Sequence, residues 1–106
     1  MTPFAKSLIA FMEVSGLDRE TSEAIMHEFW KQTARLIVDI QRLIAEDDSK
    51  EVGILLHKLK GSAGNVRVQE IAKLAFEAEK ALGAKEHEQL GDLLRQIEES
   101  LHAFTT

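Results

Sequence analysis

Apolar residues recur three and four positions apart along nearly the whole chain, the spacing of amphipathic helices, and runs of strict alternation that would mark strands are scarce. Phe4, Leu8, Phe11 and Met12 predict a short first helix stopped by Gly16. Asp18 stands where a cap for a long second helix belongs. Its stripe runs Met26, Phe29, Trp30, Thr33, Leu36, Ile37, Ile40, Leu43, Ile44 up to the charged break Glu46-Asp47-Asp48. Asp48 and Glu51 have the spacing of a capping box, and the third helix they open carries Val52, Leu55, Leu56, Leu59 and Ala63 inward before a stop at Gly64-Asn65. Ile71, Leu74, Ala75, Ala78 and Leu82 mark a fourth helix ending near Gly83. Leu90, Leu93, Leu94, Ile97, Leu101 and Phe104 mark the last. Short connections favour antiparallel neighbours, so the expected fold is all-α, an antiparallel four-helix bundle with an additional short N-terminal helix.

A chain of 106 residues suits one domain, residues 1–106, and is too small for a kinase fold with its own nucleotide site. No linker, internal repeat or low-complexity segment divides it. The net charge of −5 argues against nucleic acid as the main partner, which would need a basic face. The absence of cysteine removes disulfides, thiolate catalysis and thiolate metal sites, and suits a reducing, cytoplasmic compartment. No apolar run approaches the roughly 20 residues that span a bilayer, so neither a membrane partner nor a signal segment is expected.

The third helix carries the candidate chemistry. On a wheel of about 100° per residue, Leu56, Leu59 and Ala63 fall within about 40° of Val52, whereas His57 lies about 140° away and faces outward. Gly53, Gly61 and Gly64 fall within about 40° of His57, with Lys60 about 60° to one side. Glycine inside a helix costs roughly 0.5–1 kcal/mol relative to alanine, so bare backbone around one histidine points to a partner approaching the imidazole. A different reading stays open: Gly64 as the helix stop, and Gly53 or Gly61 admitting a neighbouring helix.

The run His57-Lys58-Leu59-Lys60-Gly61-Ser62-Ala63-Gly64-Asn65 resembles the H-x-L-K-G-S-A-G-N signature of histidine phosphotransfer (HPt) domains, and the flanking helices extend the resemblance over essentially the whole chain. The resemblance implies that His57 is the phosphorylated residue, within a four-helix bundle with an added N-terminal helix. It further implies a phosphoryl donor of the phosphoaspartate type on a response-regulator receiver domain or a hybrid sensor histidine kinase, and magnesium held by that receiver, so this chain needs no cofactor or metal of its own. One position departs from the pattern: many members carry glycine where this chain has Arg67, in a turn where a small residue is expected to keep the histidine open. Arg67 is therefore expected to influence partner choice.

Unperturbed imidazole has a pKa near ~6.5, so much of it is neutral and nucleophilic at cellular pH. Phosphoryl transfer needs in-line approach and compensation of charge on the equatorial oxygens, for which Lys60 supplies a cation. From His57 to Lys73, the cations Lys58, Lys60, Arg67 and Lys73 stand against Glu70, a balance of +3 that leaves −8 for the rest. That division suits steering toward an acidic protein face. The expected role is a monomeric phosphorelay carrier, with Gly53, Lys58, Gly61, Gly64 and Arg67 at the partner surface; the alternative is an adaptor that docks on a kinase or receiver without being phosphorylated.

Other residues carry less. His27, His87 and His102 lack the glycine surround and form no metal-ligand spacing with one another. Ser62 beside the apolar stripe suits packing or a hydroxyl bond to the preceding turn. Trp30 and the phenylalanines fall on core-type positions, better suited to packing than to stacking on bases.

Overall fold

The computed structural model describes residues 1–105, which form five helices: α1 Pro3–Ser15, α2 Arg19–Ala45, α3 Ser49–Asn65, α4 Gln69–Gly83 and α5 His87–Thr105. Helices α2 to α5 make an up-and-down ring in which α3 packs on α2 and α4, and α4 on α5. The long α2 overhangs the shorter α3, and α1 covers that overhang by packing on α2 and α5. The bundle is therefore elongated, 42 Å by 22 Å by 19 Å.

Local chemistry sets the ends. Thr2 accepts from the Ala5 N–H at 3.1 Å, and Asp18 accepts from the Thr21 N–H at 2.7 Å, each supplying one of the acceptors that a helix start lacks. The side-chain bond with Thr21, and then the bond from its backbone N–H, hold the Asp18 carboxyl below the ordinary aspartate value. Gly16 ends α1 in the left-handed conformation, φ 71°, where glycine bears no Cβ penalty.

The three connections between the bundle helices share one geometry. Asp47, Arg67 and Lys85 adopt φ 59°, 64° and 60°. After each, the next N–H reaches back to the helix: Asp48 to the Leu43 carbonyl, Val68 to Ala63 and Glu86 to Ala81, each at 2.9 Å. These are Schellman closures with a non-glycine residue at the left-handed position. The expected stop at Gly64-Asn65 is met, since α3 ends at Asn65, but the left-handed residue follows it. Gly64 lies within the helix, and Arg67 makes the reversal.

Val52, Leu56, Leu59 and Ala63 of α3 are fully buried, as are Met26 and Ile40 of α2, Ile71, Ala75 and Ala78 of α4 and Ile97 of α5. Burying a large aliphatic side chain is worth about 1.5–3 kcal/mol, so this stripe fixes the rotation of α3 and sends its opposite face to solvent. Two expectations fail. Ile44, placed on the α2 stripe, is exposed near the helix end, and Phe76, placed with the core aromatics, is 48% exposed on the outer side of α4. Among the described residues, no helix is long and apolar enough to cross a membrane.

Candidate functional site

His57 projects from the middle of α3 with its side chain 71% exposed, because the buried residues Leu56 and Leu59 hold the helix with that face outward. Its surroundings are unequal. A Cβ built on Gly61 or Gly64 meets nothing within 4 Å, whereas one built on Gly53 meets Leu82 Cδ2 of α4 at 3.5 Å. The bare surround expected from the wheel therefore holds at the exposed Gly61 and the half-buried Gly64, while Gly53, also half-buried, lies against α4 at its seam with α3. The contact at Gly53 is ordinary van der Waals spacing, so glycine is not sterically required there either.

Glu79 of α4 faces the histidine across that seam. Its Oε2 lies 3.4 Å from His57 Nδ1, and its Oε1 lies 3.2 Å from Lys60 Nζ. Glu79 is three-quarters buried, and its Oε1 is shielded from solvent with no aligned hydrogen-bond donor, so the ammonium is what compensates it. Lys60 in turn lies 5.4 Å from the centre of the Phe76 ring, and Lys80 approaches the same ring at 5.4 Å. A two-thirds buried Lys60 held by a carboxylate and an aromatic face has few directions left to point.

Sequence reasoning placed His57 and Lys60 on one face, and the structure has them touching the same carboxylate, which that reasoning missed. A helix wheel sees one helix at a time, and Glu79 belongs to the next one. The consequence for charge is direct. The +3 balance counted along the segment omits Glu79, and the charged group in contact with the imidazole is an anion.

Lys58 is exposed beside His57, and Arg67 is exposed in the turn. Arg67 lies beyond the end of α3, two residues past Asn65. A glycine at this position would also have a backbone reason, since the position is left-handed. Ser62 donates to the Leu59 carbonyl at 3.2 Å, the local bond expected of it. His27 stacks on Phe4 with ring centres 5.2 Å apart, and Phe29 packs edge-on against Trp30. Among the described residues, no three His, Asp or Glu side chains gather in a way that could hold a metal ion.

The arrangement can present one ring nitrogen to a visiting group. A carboxylate opposite Nδ1 favours the tautomer with the proton on Nδ1, leaving the Nε2 lone pair free on the exposed side. Comparison with known proteins adds one match: the family model described as Hpt domain covers residues 24–106. Neither the curated proteins nor the solved structures gave a significant match.

Proposed function

The chain belongs to the Hpt domain family, whose members act in phosphotransfer of two-component signalling, and from that premise we propose that it is a phosphorelay intermediate phosphorylated on His57. The observation that carries the reading is the pairing of an open imidazole with a partly buried carboxylate on its inner nitrogen.

In the proposed step, the Nε2 lone pair attacks the phosphorus of a phosphoaspartate on a receiver domain. The N–P bond forms as the P–O bond to the aspartate breaks, and its electron pair returns to the aspartate carboxylate. The ring keeps its Nδ1 proton and carries a positive charge in the product, which Glu79 stabilises at 3.4 Å. Lys60 stands three residues on, and its ammonium, paired with Glu79 in the free chain, exchanges that carboxylate for the phosphoryl oxygens as the partner docks. The reverse sequence delivers the group to a second receiver. Magnesium belongs to the receiver's acidic pocket and balances charge there, so this chain contributes the nucleophile to a composite site.

Gly61 and Gly64 give the partner close access to the backbone beside His57, and Lys58 and Arg67 flank the approach. Residues 1–106 act as one monomeric domain in the cytoplasm in this reading. The test is incubation with a phosphorylated receiver, followed by detection of an acid-labile, alkali-stable phosphoryl group on the chain. Label is expected on the native chain and none after His57→Gln. Absence of label despite receiver binding would reduce the protein to an adaptor.

A further inference from the structure

One cavity of the molecule is away from His57. It is a groove of about 810 Å³ between α2 and α5, whose floor is Trp30, Ile37 and Leu101 and whose wall includes Ala34 and Val38. In the ring of helices, α2 and α5 meet on the side opposite the seam of α3 and α4 that carries His57, Lys60 and Glu79.

Its two ends differ. At one end Gln41 donates to Glu98, a bond that ties α2 to α5 and uses the carboxylate of the rim. Toward the other end stands Lys31, which forms no ion pair with the described residues and lines the same groove. Trp30 lies beside it, 95% buried, with its indole N–H shielded from solvent and lacking an acceptor. A buried donor left orphaned costs free energy, and Phe104 covers the ring at 4.0 Å without supplying an acceptor. The groove thus joins an apolar trough, floored by the Trp30 ring, to an unpaired cation.

Ligand sites between bundle helices have this character, a mostly apolar hollow of roughly 300–1,000 Å³ with a few convergent polar groups. From Lys31 to Gln41 the trough follows α2 for about 15 Å, a length that a medium-chain acid spans. We propose that the α2–α5 groove binds a small amphiphilic carboxylate, its apolar body on Trp30, Ile37, Val38 and Leu101 and its anionic head at Lys31. Charge complementarity selects the head group and its direction: Lys31 is an unpaired cation at one end of the groove, while Glu98, still an anion though it accepts from Gln41, stands at the other and repels a carboxylate there.

Trp30 is the only tryptophan in the chain, so its emission reports the groove directly. Decanoate, kept below its micellar range, is titrated against the whole protein, with decyltrimethylammonium as the charge-reversed probe on the same tail. Saturable change in emission is expected with decanoate, weaker by at least about threefold with the ammonium probe, a preference that Lys31→Glu reverses. Ala34→Gln, which fills the trough without adding charge, is expected to weaken decanoate by at least about tenfold while leaving the helical circular dichroism unchanged. A change that never saturates, or equal affinity for both heads, overturns the proposal. Sedimentation of the unliganded protein supplies a further check: a dimer that Ala34→Gln dissociates would show that a second copy fills the groove and would equally overturn it. None of these measurements depends on phosphorylation of His57.

Discussion

Replacing Gly61 by alanine separates folding from function at one atom. Gly61 is exposed in the interior of α3, and the added Cβ would meet nothing within 4 Å, so the substitution brings no clash. It removes backbone freedom from the unfolded chain and supplies a better helix former, which together favour the folded state by about 0.5–1 kcal/mol. For a domain of this size that corresponds to a rise in Tm of roughly 2–6 °C. The same methyl lies one turn from His57, on the face through which a receiver reaches the imidazole in the proposed transfer. Because small displacements from in-line geometry are costly, transfer is expected to slow by roughly tenfold. Thermal denaturation followed by circular dichroism gives the first quantity, and the rate of label transfer from a phosphorylated receiver gives the second. Gly91→Ala is the control: its Cβ is equally unobstructed, but α5 does not pack on α3, so it should stabilise without slowing transfer. A lowered Tm would refute the structural argument. A raised Tm with unchanged transfer would leave the bare face without the function assigned to it.

Other substitutions test neighbouring steps. Arg67→Gly relieves a left-handed residue at φ 64° and, after the added freedom of the unfolded chain, should stabilise the bundle by about 0.5–1 kcal/mol in urea denaturation; a loss of stability would contradict the Schellman reading. If Arg67 also touches partners, the same variant shifts relative transfer rates among several receivers, and equal ratios would remove it from the docking surface. Glu79→Gln keeps an acceptor but loses the charge: slower transfer is expected at unchanged helicity, and ¹⁵N spectra of the native protein should show the His57 proton on Nδ1, whereas an Nε2-protonated ring would refute the assigned role. Leu59→Ala empties a fully buried site beneath the histidine face and should cost about 2–5 kcal/mol by the same denaturation measurement. Asp18 should titrate below 3.8 in a carboxyl NMR titration. Its carboxyl is depressed on folding, so its stabilisation of α2 is present above the unfolded value and lost as pH falls through the lowered one, a dependence that Asp18→Asn should abolish.

The helices were legible in the sequence because each writes its own periodicity. Gly16 and Asp18 were legible as its punctuation, since a left-handed glycine and a capping carboxylate act within a few residues of where they stand. His57 and Lys60 were legible together because they share one helix. Glu79 was hidden by the limits of a single wheel, yet the fold makes its place intelligible. Helices α3 and α4 form a hairpin about position 68, so residues equally far from that centre face one another. Gly53 meets Leu82, His57 meets Glu79 and Lys60 meets Phe76, three pairs that share this register. Had the reversal been known, the partner of the histidine could have been counted off. The helix does stop where Gly64-Asn65 advertises it, but the left-handed residue that reverses the chain is Arg67, a residue type that favours helix, so the sequence does not mark it. The backbone gives Arg67 a significance that a reading of its side chain did not include. With the turn in place, the glycine expected there has a conformational reason, and Gly61 and Gly64 leave the helix bare beyond His57.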